Sequence, residues 1–269
     1  MKVLIPTDFS QTARKAADFT FSTLGDKLEK VQFVHAFDMP YYDRSFTSTL
    51  FEVIQENAEN NLKSYKKELR AAGHSNFEAK TVMGSPVRIV KEELKQHHYD
   101  LLVMGTKGVN GLEEVLIGSN AASVIQNTSI PALIIPPKAA IKPFKKILLA
   151  FDMNTKGVKK ALSELKMFAN LYHADINVLY VQHKDGHEDG SRNFLSENLG
   201  DLFKGLTIAK TDDLEHALFE KAEKTGADCI AVITREYGFF EGLFHSSLSK
   251  KLAYHSEIPL LALHQGKEN

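Results

Sequence analysis

One cysteine, Cys229, in a chain of 269 residues leaves no internal disulfide to form. The fold must therefore hold by packing, and the composition suits a reducing compartment. No charge of either sign prevails. The 33 Lys and Arg oppose 34 Asp and Glu, a formal charge of −1, which offers no electrostatic case for a nucleic-acid surface or an anionic membrane. Long apolar runs are missing as well. None nears the roughly 20 residues that span a bilayer, and the opening run meets Asp8 too soon for a signal peptide. The expectation is a cytoplasmic protein that engages neither membrane nor nucleic acid. With 43% apolar and 25% charged residues, the chain falls outside the disordered, collagen-like and low-complexity classes. Neither G-x-x-x-x-G-K-[ST] nor G-x-G-x-x-G occurs, so neither of those phosphate-binding mechanisms applies directly.

What the sequence does contain is an internal repeat. Lys2 to Asp8 reads against Lys146 to Asp152 at an offset of 144. Asp100 to Met104 reads against Asp228 to Val232 at 128, and Ser129 to Leu133 against Glu257 to Leu261 at the same 128. The second copy is thus shorter by 144 − 128 = 16 residues, a loss expected in the loop around residues 37–49. So long a period means duplicated domains, not a solenoid. The expected domains are residues 1–138 and 144–266, joined by the proline-rich segment between Pro136 and Pro143.

Each copy alternates strand and helix signals. In the first, residues 3–5, 31–34, 79–82, 101–103 and 133–135 are short apolar runs suited to a parallel sheet buried on both faces. Between them, Ala13, Ala16, Ala17, Thr20, Phe21 and Leu24 share one helical face. Leu50, Ile54, Ala58, Leu62, Tyr65 and Leu69 share another. Ser85-Pro86 reads as a cap followed by proline at the first helical position, and Ser119 opens a fourth helix. Right-handed crossovers convert this order into an α/β fold with helices on both faces of a parallel sheet. Ligands of such sheets lie outside the carboxyl ends of the strands, where strand order reverses.

That rule directs attention to the loops after strands one and four. The latter runs from Gly105 to Asn120 with glycines at 105, 108, 111 and 118. Glycine lets backbone N–H groups approach an oxygen closely. Gly118-Ser119 then starts a helix whose free N–H groups and dipole favour an anion. Ser119 adds a hydroxyl and Lys107 a charge. A flexible loop with a Gly–Ser cap is the plainer alternative. After strand one, Asp8 is placed to accept from a base or ribose, although Asp8 or Ser10 would equally cap the next helix. Jointly, the two loops favour a nucleotide.

These residues resemble the nucleotide-binding subclass of the universal stress protein family. Gly105, Gly108, Gly118 and Ser119 match that family's G-x2-G-x9-G-[ST] pattern. Pro6-Thr7-Asp8 matches its first strand ending, Val34-His35-Ala36 its second, and Thr128 to Pro131 part of the approach to strand five. The resemblance covers the chain as a tandem arrangement. It implies two Rossmann-like, adenine nucleotide hydrolase-like domains with strand order 3-2-1-4-5, whose fifth strands meet antiparallel in a pseudo-dimer. It further implies ATP, with adenine near Pro6, Thr7, Ala36 and Met104, and ribose near Asp8. Triphosphate would lie on Gly105, Lys107, Gly108, Gly118, Ser119 and Asn120, with Mg2+ as a companion ion. Protein partners and a further homodimer also fit the resemblance.

The second copy departs from this pattern. Gly105 becomes Ile233, Gly108 becomes Glu236 and Gly118 becomes Ser246; Ser119 survives as Ser247. Ile233 occupies space that phosphates need, and Glu236 and Glu241 repel them. Asp152 is kept, but Pro6-Thr7 becomes Ala150-Phe151. ATP is expected in the first half only. No second carboxylate, water-orienting Gln or Arg finger accompanies Lys107, Ser119 and Asp8, so phosphoryl chemistry has few of its parts. The expectation is a stress-response sensor or regulator, with a nucleotide-independent scaffold or chaperone-like adaptor and a slow ATPase as alternatives. The polar run His183 to Asp189 matches no standard zinc spacing. Phe239, Phe240 and Phe244 suit either a partner patch or the contact between halves.

Overall fold

The computed structural model describes every residue except 39–47, 107–118, 152–156, 182–189, 210, 212–213, 235–256 and 267–269. Its first half runs β1 (Lys2–Pro6), α1 (Gln11–Leu24), β2 (Lys30–Phe37), α2 (Ser48–Ala71), β3 (Phe77–Met83), α3 (Pro86–Gln96), β4 (Leu101–Gly105), α4 (Ser119–Gln126) and β5 (Ala132–Ile135). The second half runs β6 (Lys146–Phe151), α5 (Val158–Tyr172), β7 (Asp175–Val181), α6 (Ser191–Leu199), β8 (Phe203–Ala209), α7 (Leu214–Thr225), β9 (Cys229–Thr234) and β10 (Leu260–His264). All ten strands form one sheet, ordered β3-β2-β1-β4-β5-β10-β9-β6-β7-β8. Each half thus has the order 3-2-1-4-5, with every neighbouring pair inside a half parallel.

The one antiparallel seam joins β5 to β10, with Leu133 facing Leu261. These two leucines are equivalent in the repeat, so the pseudo-twofold axis passes between them. Strand residues alternate between two buried layers, as the pleat requires. Val3, Ile5, Val103, Leu133, Leu149 and Leu261 share one layer with α1, α2, α5 and α6. Leu4, Leu102, Met104, Ile134, Leu148 and Ala262 share the other with α3, α4 and α7. Each layer is continuous across both halves.

Side chains close the seam further. Phe144, just after the connector, is buried between Phe19 of α1 at 5.5 Å and Phe168 and Tyr172 of α5 at 5.6 and 5.0 Å. Lys160 donates to the Ser129 carbonyl at 2.8 Å. At the end of β10, buried His264 meets the Thr234 hydroxyl with Nδ1 (2.7 Å) and the Thr128 hydroxyl with Nε2 (3.2 Å). Burial, followed by the Lys160 charge, lowers its pKa to about 4, so it is neutral at pH 7.

Two expectations change. The 16-residue difference lies in a helix, not in the loop: α2 has 24 residues and α6 has 9, while the segments before them differ by one residue. The α2 stripe is also buried only over its later turns. Ala58, Leu62, Tyr65 and Leu69 are core, whereas Leu50 is 39% exposed, because a 24-residue helix extends past the strands it covers.

Candidate functional site

β1 lies between β2 and β4, so the strand order reverses beside it. Pro6 pairs with Val34, and Leu4 with Leu102. Carried two and four residues further, these registers bring Asp8 level with Ala36 and Thr106. The carboxyl ends of three strands therefore bring Pro6, Thr7, Asp8, Ala36, Met104 and Gly105 together. Met104 and Ala36 lie in the layer under α3 and α4.

A short turn links β1 to α1, and each polar group in it has a task. The Thr7 amide extends the ladder to the Val34 carbonyl (3.0 Å). Thr7 Oγ1 accepts from the Phe9 amide at 3.1 Å, and Asp8 Oδ1 accepts from the Ser10 amide at 3.1 Å. Ser10 Oγ accepts from the Ala13 amide (3.2 Å), which makes Ser10, not Asp8, the cap of α1. Asp8 thus shapes the turn with one oxygen. Phe9 adopts a left-handed φ of 61°, a costly conformation for an aromatic residue. Its ring rests on His35 at 4.3 Å and on Tyr65 at 5.3 Å.

His35 Nδ1–H donates to the Thr7 carbonyl at 2.8 Å, which leaves Nε2 as an acceptor. Burial lowers the His35 pKa against the opposing pull of that hydrogen bond and the Asp8 charge. Tyr65 is buried beneath the turn, and burial raises its pKa. Its hydroxyl adjoins Thr7 but has no hydrogen-bond partner of normal geometry among the described residues. Thr106, at the end of β4, is 2% exposed and its hydroxyl has no partner among the described residues. Neither hydroxyl stands out by periodicity. The one sequence signal for Thr106 is that the repeat puts a second threonine, Thr234, at its place.

Gly105 has a structural reason that phosphate approach does not require. A Cβ there would lie 2.6 Å from the Thr12 carbonyl oxygen and 2.7 Å from its carbon. Only glycine admits the first turn of α1 so close to β4. Ser119 begins α4, and Asn120 is exposed in its first turn. Lys107, Gly108 and Gly118 lie outside the described residues.

The equivalent strand ends of the second half are built differently. Phe151, at the Thr7 position, and Ile233, at the Gly105 position, are both buried in the layer shared with α5. Asp152, Glu236, Glu241, Ser246 and Ser247 lie outside the described residues, as do His183 to Asp189, Phe239, Phe240 and Phe244. Cys229 starts β9 fully buried, and burial raises its thiol pKa; such a thiol is unreactive. His97 caps α3, and exposed His98 faces Asp100 at 3.3 Å. Among the described residues no three His, Cys, Asp or Glu gather as a metal set, and no helix is long and apolar enough to cross a membrane.

Comparison with known proteins agrees with this architecture. The model of the universal stress protein family matches residues 1–136. A universal stress protein of Methanocaldococcus jannaschii is 30% identical over 159 residues, covering 51% of this chain and 95% of that protein. Another from the same archaeon is 29% identical over 138 residues, covering 50% of this chain and 81% of its own length. Over the whole molecule, the crystal structure of a universal stress protein from Archaeoglobus fulgidus covers 100% of this chain and 97% of its own. Its TM-score is 0.72 at 20% identity, a likeness of fold.

Proposed function

The chain belongs to the universal stress protein family, and on that premise we propose that its amino-terminal half binds ATP and acts as a nucleotide-dependent sensor or regulator in a cytoplasmic stress response. The observation that carries this reading is the convergence of Thr7, Asp8, Ala36, Met104 and Gly105 at the reversal of strand order. Adenine would rest between Pro6, Thr7, Ala36 and Met104, and the Asp8 carboxylate would accept from a ribose hydroxyl. The phosphates would take Gly105, Lys107, Gly108, Gly118, Ser119 and Asn120, where the start of α4 would favour an anion. A magnesium ion arriving with the nucleotide would add charge neutralisation beside Asp8.

We read residues 1–138 as the binding domain and residues 144–266 as its degenerate partner. Phe151 and Ile233 support that division, since both put bulk where the first half has Thr7 and glycine. The turn residues hold a ligand better than they drive chemistry. His35 and Thr7 are committed to one another, so slow hydrolysis at most is the expectation.

Acid extraction of the purified protein should release adenine nucleotide, and calorimetric titration should give one ATP site per chain. Gly118→Val should weaken it by more than tenfold. Equal affinity in wild type and variant would remove the loop from the site. Turnover of many ATP per minute, lost in Lys107→Ala, would replace the regulator with an enzyme. Absence of any nucleotide binding would leave the scaffold reading.

A further inference from the structure

Thr106, the residue after β4, and Thr234, the last of β9, are equivalent in the repeat but differ in one respect. Thr234 is satisfied: its hydroxyl donates to the Leu263 carbonyl at 3.1 Å and accepts from His264 Nδ1 at 2.7 Å. In the register of β9 with β10, His264 stands opposite Thr234. In β4 and β5, Gly105 stands opposite Ile135, so the next pair is Thr106 and Pro136. Proline offers neither an N–H nor a side-chain partner. Thr106 is therefore buried at 2% exposure with a hydroxyl that nothing among the described residues satisfies. A buried hydroxyl without a partner is destabilising, and such groups in native proteins call for an explanation.

Strand alternation places Thr106 on the face of Met104, the face that α4 covers. α4 runs over Ser119–Gln126, and the start of a helix favours an anion through its dipole. The orphan hydroxyl and the anion-favouring helix start thus serve the same side of the same strand end. We propose that Thr106 is a phosphate ligand of the amino-terminal site, donating its proton to a phosphoryl oxygen of the bound nucleotide, and that His264 silences the twin Thr234. The inference rests on the nucleotide reading above and adds a residue and a specificity to it. An uncharged nucleoside leaves the hydroxyl bare, whereas a nucleotide satisfies it.

Calorimetry of wild type and Thr106→Val with adenosine, AMP and ATP tests this. A hydrogen bond to a charged acceptor corresponds to a loss of about tenfold or more. AMP and ATP should weaken by that factor while adenosine affinity stays unchanged. Without ligand, Thr106→Val should melt at or above the wild-type temperature, because no bond is lost, whereas Thr234→Val should melt lower. Pro136→His, which supplies the first half with the partner that Thr234 has, should weaken AMP and ATP without the loss of any wild-type ligand group.

Unchanged AMP and ATP affinity in Thr106→Val overturns the proposal and leaves a water as the partner. An equal loss for adenosine overturns it in favour of a ribose contact. A stability loss matching that of Thr234→Val overturns it in favour of a structural bond. Full affinity in folded Pro136→His overturns the silencing role of His264. Wild type that binds no adenine nucleotide overturns this inference and the nucleotide reading together, which distinguishes the two failures.

Discussion

At the scale of single residues, side chains at strand ends carry both the fold and the candidate chemistry. Gly105 is the clearest case. The G-x2-G-x9-G-[ST] pattern marks it for phosphate approach, yet the Thr12 backbone already forbids a Cβ there. Gly105→Ala should therefore destabilise the protein without ligand, by about 1–3 kcal/mol as for other overpacked sites; urea unfolding without nucleotide measures this, and an unchanged midpoint would refute the close packing. His264 gives a pH dependence. Its folded pKa of about 4 lies below the ordinary 6.5. Between those values the unfolded chain binds a proton that the folded protein refuses, so stability falls as pH drops through the window. The full loss approaches about 3 kcal/mol near pH 4. His35, lowered by burial, acts in the same direction. His264→Gln should flatten the stability curve between pH 6.5 and 4.5, and an unaltered slope would show that the imidazole titrates normally.

At the scale of elements, local signals are legible where a single mechanism sets them. Pro86 starts α3 behind Ser85, where the residue types indicate, although the Ser85 hydroxyl makes no capping bond. The cap of α1 is different, because Asp8 and Ser10 are chemically equal candidates. Geometry decides for Ser10, since Asp8 Oδ1 is turned to the Ser10 amide. Ser10→Ala should lower stability by about 1 kcal/mol, read as a fall in thermal midpoint. Asp8→Ala must also lose the turn, so it is the less specific probe of ribose binding. The difference between α2 and α6 was not legible. Offsets between repeats measure a total, and a sum of 16 residues does not say whether a loop or a helix was shortened.

At the scale of the whole molecule, the halves are one body. The ten-stranded sheet runs through the β5–β10 seam, and both core layers cross it. Phe144, outside either repeat's strands, is packed by residues of both halves. Calorimetry should show a single unfolding transition, and Phe144→Ala should lower it by about 3–5 kcal/mol without splitting it. Two separate transitions, one unaffected by the variant, would mean that the halves fold independently. A shared core also gives the second half a structural use: it covers the apolar flank that β5 would otherwise expose.

The linear sequence determined the duplication and the alternation of strands and helices, because each is a local pattern of residue types repeated at a fixed spacing. Tertiary structure alone decided which threonine hydroxyl is left bare, why Gly105 admits no side chain, and how His264 and Phe144 join the halves. Those outcomes depend on which atoms from distant segments meet in a buried space, where one missing partner or one added carbon costs as much free energy as an entire helix cap.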